Sequence, residues 1–264
     1  MTAAVLALLA AAALSARWNW WRPVSAGPAI LMYHKVGDPP PGDRLPKLWV
    51  RTADFRRQMD WLKKRGYAVM TLRDLAAVYG RGQEPPERSA VITFDDGYRN
   101  NLTEALPVLE ERGFPCVIFM VSETVGGENS WRGGGEARAE MLSAGELREL
   151  AAKGIEIGSH TRTHSNLARL TPAEAGAEVE GSRAALESLL GAPVSSFAYP
   201  YGGGAFDDAI RDLVKKAGYT CAVSVKQGKP RPGDDLFRLK RILVRGDDNM
   251  LDFALNVTRG RSRF

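Results

Sequence analysis

The chain has 264 residues, with 36 Lys+Arg against 31 Asp+Glu and a formal net charge of +5. A hydrophobic fraction of 44% and a charged fraction of 25% are those of a globular domain, and neither a long polar tract nor a repeat period marks disorder or a solenoid. This length suits one large domain, since single α/β barrels run to about 250 residues, and no basic motif interleaved with aromatics points to nucleic acid.

Residues 3–16 form an uncharged Ala/Leu-rich run. It is shorter than the roughly 20 residues of a spanning helix but suits the apolar region of a signal or a short anchor. Arg17-Trp18-Asn19-Trp20-Trp21-Arg22 follows and has the composition of an interfacial belt. Residues 1–26 are therefore expected to be a signal peptide or membrane anchor, Val24-Ser25-Ala26 offering a cleavage site, and residues 27–264 an extracytoplasmic domain, anchored or secreted. The basic residues of this segment, Arg17 and Arg22, lie after the run rather than before it, which by the positive-inside tendency points the other way.

Short apolar runs at residues 29–33, 68–70, 90–94, 116–121, 155–158, 196–199 and 221–225 read as strands. Phe55, Met59 and Leu62 mark one face of a helix closed by Gly66. Residues 102–112, 144–153, 172–190 and 206–217 have helical spacing and end on Gly113, Gly154, Gly191 and Gly218. Strand and helix in alternation give parallel βαβ units. A barrel or a doubly wound sheet follows, and both carry their chemistry at the carboxyl ends of the strands. Cys116 and Cys221, each within an apolar run, read as buried thiols. The late basic residues Arg238, Lys240, Arg241, Arg245, Arg259, Arg261 and Arg263 read as a solvated face, or one suited to an anionic surface.

The strand-end rule singles out few residues. The run 90–94 ends in Asp95-Asp96-Gly97, either a solvated turn or two carboxylates with separate roles, one ligating and one handling protons. The run 155–158 ends in Ser159-His160, with His164 four residues on, a spacing that lets two imidazoles meet one ion. The chain has three histidines, and the third, His34, also ends a predicted strand. Asp96, His160 and His164 fit a three-ligand site with an open position for a divalent cation. Asp95 is then placed to take a proton from water, and His34 to protonate a leaving nitrogen.

With these residues assembled, the chain resembles the polysaccharide deacetylases of carbohydrate esterase family 4, the NodB-homology domain, over residues 28–244. Thr93-Phe94-Asp95-Asp96-Gly97 is similar to the family's first motif, and Ser159-His160-Thr161-Arg162-Thr163-His164 to its second. Phe197-Ala198-Tyr199-Pro200-Tyr201-Gly202 is similar to the third, which by position makes the Tyr201 N–H an oxyanion donor. The resemblance implies a distorted (β/α) barrel of about seven strands and a divalent metal, Zn²⁺ first, with Co²⁺ or Ni²⁺ as alternatives. Two departures stand out. The third motif lacks the arginine that orients the base aspartate, and no histidine follows His164 to complete the late Leu-x-His motif. Leu31-Met32-Tyr33-His34 looks like that last motif moved to the first strand, as in the branch that acts on poly-N-acetylglucosamine. The expected reaction is N-deacetylation of an N-acetylglucosamine polysaccharide, poly-β-1,6-N-acetylglucosamine before peptidoglycan or chitin-like oligomers. An O-acetyl esterase and a non-catalytic glycan-binding barrel are the alternatives. Trp131 and Trp49 are candidate sugar platforms or packing residues, and residues 125–140 read as a mobile loop near the site. The sequence names no protein partner.

Overall fold

Runs such as Ala-Ile-Leu-Met-Tyr and Ser-Ala-Val-Ile-Thr-Phe, apolar at nearly every position, belong to strands covered on both faces. In the computed structural model these are β1 (Ala29–Tyr33) and, after β2 (Lys35–Val36), β3 (Trp49–Val50) and β4 (Ala68–Val69), β5 (Ser89–Phe94). The remaining strands are β6 (Val117–Met120), β7 (Glu156–Ser159), β8 (Ser196–Ala198), β9 (Cys221–Gln227) and β10 (Leu239–Leu243). The structure describes residues 3–17, 21–129, 131 and 137–262. Trp18 and Trp20 of the belt, Arg263, and Gly133, Gly134 and Gly135 of the expected loop lie outside them.

Strands β1, β5, β6, β7, β8, β9 and β10 pair in parallel and close into a barrel, because β1 pairs with both β5 and β10. The expected barrel of about seven strands is what forms. β4 adds to the start of β5, and β2 and β3 make a separate parallel pair. The α-helices among the described residues are α1 (Ala3–Arg17), α2 (Thr52–Lys64), α3 (Leu72–Gly80), α4 (Leu106–Glu110), α5 (Ala144–Ala152), α6 (Pro172–Leu190), α7 (Asp208–Lys216) and α8 (Met250–Arg259). Serine, threonine and asparagine at Ser143, Thr171 and Asn249 close capping boxes on α5, α6 and α8. Gly66, Gly113, Gly154, Gly191 and Gly218 sit at positive φ, as the helix-stop reading required.

Alternation along the strands sorts the core into two layers. Leu31, Ile92, Ile118 and Ile157 face outward to the helices, whereas Ile30, Val91, Phe119 and Val223 face inward. The inward set packs on Leu72, Leu75, Ala76 and Tyr79 of α3, which plugs the end of the barrel where the strands begin. Glu156 ties that plug down: its carboxylate accepts from Arg73 N at 3.0 Å and Ser196 Oγ at 2.6 Å. With one end sealed, the barrel interior opens at the opposite end, where the strands finish. Space inside is short, since a Cβ on Gly158 would stand 2.5 Å from Phe119 Cδ1 and 2.7 Å from Ser196 Oγ. Gly158→Ala is therefore expected to destabilise the fold by about 1–3 kcal/mol through overpacking, read as a lower urea midpoint with unchanged m.

The structure departs from the sequence reading in four places. The helix expected over 102–112 is a π-helical turn, Asn101–Ala105, running into α4, with Pro107 at its start. α3, α8 and β10 were not anticipated. Residues 125–140 are not loose at their base: Gly126 N donates to Leu142 O at 2.9 Å and Asn129 N to Ala139 O at 3.2 Å. The late basic set is not one solvated face, because Arg241 is fully buried and Arg238 and Lys240 pair with Asp208 and Asp234. Cys116 and Cys221 are buried free thiols.

Candidate active site

β5 delivers Asp95 and Asp96 to the open end of the barrel, where Asp95 N donates to Tyr33 O at 2.9 Å. Gly97 makes the turn possible: at φ 85° its missing Cβ would lie 2.1 Å from Met120 Sδ. β7 delivers His160, whose N donates to Met120 O at 2.9 Å. The loop beyond it is clamped by Glu178 of α6, which accepts from Arg162 N and Thr163 N, each at 2.9 Å, and from Thr163 Oγ1 at 2.8 Å. His164 returns at the end of that loop.

Among the described residues four non-glycines hold positive φ: Asp96, Thr161, His164 and Tyr201. All four lie in the segments the motifs marked. Left-handed backbone on a β-branched threonine is a strained conformation, and strain of this kind persists where packing over-determines it. Here two of the four are candidate ligands.

Candidate ligand atoms of Asp96, His160 and His164, all buried, lie within 4.8 Å of one another. Asp96 Oδ1 stands 3.4 Å from His160 Nε2 and 3.2 Å from His164 Nε2. His160 Nδ1 is 2.7 Å from Ala198 O, so a proton on Nδ1 directed at that carbonyl leaves Nε2 as the ligating nitrogen. The donor set fits a divalent cation: two imidazoles and a carboxylate converge, with Asp96 Oδ1 buried and lacking a hydrogen-bond donor. Burial pushes the Asp96 carboxyl up, but His164 and His160 beside it outweigh that and hold it well below the usual range.

Asp95 does not share that cluster. Arg241, from β10, grips it in a fork, Nη1 to Oδ1 at 2.6 Å and Nη2 to Oδ2 at 2.7 Å. The guanidinium is itself fixed, Nε donating to Ser224 O at 3.0 Å and Nη1 to Thr93 Oγ1 at 3.1 Å. Burial alone would raise the Asp95 carboxyl; Arg241 more than offsets it, so the group lies below its ordinary value and is ionised. Arg241 thus takes the place of the arginine that the third motif lacks, a replacement the sequence left open. The replacement comes from a different strand. Its signal was an arginine inside Leu239-Lys240-Arg241-Ile242-Leu243, an apolar-flanked run where a solvated side chain is out of place.

His34 leaves the end of β1, its carbonyl accepting from Asn101 Nδ2 at 2.9 Å, with Nδ1 buried and without a hydrogen bond. Burial lowers its pKa, while Asp96 and Asp95 pull it upward. His34 and His160 therefore bear on both aspartates, and His164 on Asp96. Tyr201 sits at φ 57° in the turn Pro200–Gly202. That turn is tied by Gly202 N to Tyr199 O at 3.0 Å and Gly203 N to Pro200 O at 2.9 Å. The Tyr201 ring is 59% exposed and centred 4.7 Å from His164, giving the site an apolar wall open to solvent. Trp131 also meets His164, 4.2 Å between ring centroids, and lies 6.2 Å from Tyr98, so it packs on a candidate ligand. Trp49 instead packs over Lys35 Nζ at 5.0 Å and donates Nε1 to Asp43 at 2.8 Å.

Comparison with known proteins places this architecture among others. The family described as polysaccharide deacetylase matches residues 82–222. A poly-β-1,6-N-acetyl-D-glucosamine N-deacetylase of Staphylococcus aureus is 27% identical over 207 residues, covering 75% of this chain and 68% of that protein. The crystal structure of a polysaccharide deacetylase from Bacillus cereus superposes with TM-score 0.73 at 29% identity, over 88% of this chain and 69% of that one. IcaB from Ammonifex degensii superposes with TM-score 0.71 at 27% identity, over 84% and 94%.

Proposed function

The chain belongs to the polysaccharide deacetylase family, and we propose that it removes N-acetyl groups from an N-acetylglucosamine polymer in the cell envelope, poly-β-1,6-N-acetylglucosamine before peptidoglycan or chitin-like chains. The observation that carries this reading is the ionised, arginine-held Asp95 next to the Asp96–His160–His164 cluster at the one open end of the barrel. The choice of polymer is supported by the name of the Staphylococcus aureus relative and by the histidine at the end of the first strand.

Asp96, His160 and His164 are the residues that would hold a divalent cation, Zn²⁺ in our reading with Co²⁺ or Ni²⁺ able to substitute. Bound there, such a cation would polarise the acetyl carbonyl and acidify water. Asp95 takes the proton from the attacking water. Both its oxygens already accept from Arg241, which fixes the carboxylate plane and leaves each oxygen a further lone pair. The Tyr201 N–H donates to the oxyanion that develops on the acetyl oxygen. His34 delivers a proton to the departing nitrogen, which an amide needs because an unprotonated amine leaves poorly. Burial lowers the His34 pKa, so once protonated it gives its proton up more readily.

Amide and ester hydrolysis share these residues, so substrate comparison separates them. The full chain, incubated with N-acetylglucosamine oligomers and with acetylated xylan, is expected to release acetate from the first far faster than from the second. Release from acetylated xylan alone would reassign it as an O-acetyl esterase, and oligomer binding without acetate would reassign it as a glycan-binding barrel.

A further inference from the structure

The sealed end of the barrel has its own chemistry. The segment before β1 leaves the barrel there, and it is pinned: Ser25 N donates to Thr258 O at 3.0 Å, and Lys229 Nζ donates to Ser25 O at 2.8 Å. Gly27, at φ 94°, passes so near Pro230 that a Cβ would lie 2.0 Å from its carbonyl oxygen. Upstream stands α1, uncharged from residue 3 to residue 16, with Leu6, Leu8 and Leu9 each more than half exposed. At 1.5 Å per residue its 15 residues reach about 22 Å, and among the described residues no helix is long and apolar enough to cross a membrane. From Arg17 to the pinned Ser25 is eight residues, which span at most about 28 Å, so the end of α1 is tethered within that reach of the barrel's base.

That base is aromatic and cationic. Arg65 lies 5.6 Å from Trp61, and just upstream of the pinned segment Arg22 lies 5.6 Å from the exposed Trp21 ring. Arg88, also exposed, donates Nη1 to Arg65 O at 3.0 Å. Arg65, Arg88, Lys229, Trp61 and Tyr67 share a cavity of about 580 Å³ with the pinned segment and with Glu84 and Glu87. Tryptophan and arginine together at the foot of an uncharged helix are the composition that settles at headgroup depth.

We infer that the sealed end of the barrel rests on a lipid surface bearing anionic headgroups, α1 inserting and Trp21, Arg22, Arg65 and Arg88 lying among the headgroups, so that the Asp96–His160–His164 end faces away from the bilayer. The inference rests on the envelope location proposed above and deepens it. β1 alone, five residues long, separates the two ends by roughly 17 Å. Sugar units adjoining a lipid anchor stay below the site, and polymer lying clear of the bilayer is the substrate class this geometry suits.

The test uses the full chain and two kinds of vesicle, phosphatidylcholine alone and phosphatidylcholine with phosphatidylglycerol. Cys116 and Cys221 are buried, and burial pushes the Cys116 thiol up to about 12, so a thiol-reactive fluorophore goes to a cysteine introduced as Pro86→Cys at the base or Glu123→Cys at the site end. We expect flotation with the anionic vesicles and quenching of the Pro86→Cys label, but not the Glu123→Cys label, by nitroxide lipids. Combined R65E and R88E substitution should weaken anionic-vesicle binding at least about thirtyfold while acetate release from soluble oligomers and the melting temperature stay at the parent value. Equal quenching at both labels, quenching at the site end, indifference to R65E and R88E, or concentration-dependent dimerisation without vesicle binding would each overturn the inference. Flotation and quenching do not depend on turnover, so an inactive protein would sink the deacetylase reading and leave this one standing.

Discussion

Arg241→Met is expected to lower kcat/KM for acetate release by about 10²–10⁴-fold, the range that a positioned general base contributes. The guanidinium binds both oxygens of Asp95 and is itself held by Ser224 and Thr93. Removing it frees the carboxylate to rotate and leaves a buried charge without its partner, which costs about 3–5 kcal/mol of stability. Asp95→Asn should lose activity on a similar scale, because an amide cannot take the proton. The double variant Arg241→Met with Asp95→Asn separates the two losses: stability to urea should recover part of the way, and activity should not. The pH profile gives the sign independently. Arg241 holds Asp95 below its ordinary value against burial, which raises it. In Arg241→Met the main opposition to burial is gone and only His160 and His34 still pull the other way, so the acidic limb of kcat/KM moves to higher pH. In the parent protein the stabilisation from this pair is present above the ordinary carboxylate range and is lost as pH falls through the lowered Asp95 value. Arg241→Lys should fall between, since an ammonium supplies a point charge in place of a planar fork. Near-parent activity in Arg241→Met, with the fold intact, would remove Asp95 from the role of base.

The contrast between Arg241 and the other site residues shows what a sequence carries and what it does not. Asp95, Asp96, His160 and His164 sit within a few residues of strand ends, and their chemistry is rare enough in the chain to be seen: it has three histidines. Local spacing therefore revealed them. Arg241 reaches Asp95 across 146 positions, and that pairing exists because β1 closes the barrel between β5 and β10. Nothing local announces closure. The same cause hid β10, whose Lys240 and Arg241 break the apolar pattern, although the interior accepts Arg241 once its charge is matched. α3 escaped because its apolar face is spent on plugging the barrel in nine residues, too short a stretch for periodicity to stand out. Glu178 gave no signal at all, since a carboxylate on a surface helix looks like any solvated acid until the loop it clamps is seen. Gly66, Gly113, Gly154, Gly191 and Gly218 were legible because their need is set by a single φ, whereas Gly260, which closes α8 at φ 77°, was missed together with its helix.

Chelation is expected to abolish acetate release, and added Zn²⁺ or Co²⁺ to restore it. Asp96 is the reason: its buried Oδ1 lies 3.2 and 3.4 Å from two imidazole nitrogens and lacks a hydrogen-bond donor. A cation that binds this cluster in the folded chain and not in the unfolded one stabilises the fold by mass action, about 4 kcal/mol at a thousandfold excess over Kd. For a domain of this size each kcal/mol moves Tm by roughly 2–4 °C, so metal should raise Tm by about 8–16 °C, read by calorimetry before and after stripping. Three variants divide the roles. His164→Ala, which deletes a ligand, should lose both the Tm rise and the activity. Asp95→Asn should keep the rise and lose the activity, because Asp95 is held by Arg241 outside the ligand cluster. His34→Ala should also keep the rise, and should lose more on N-acetyl substrates than on aryl acetates, whose leaving group needs no proton. A Tm rise that survives His164→Ala, or activity that survives chelation, would break the link between this cluster and the chemistry and return Asp96, His160 and His164 to a structural role.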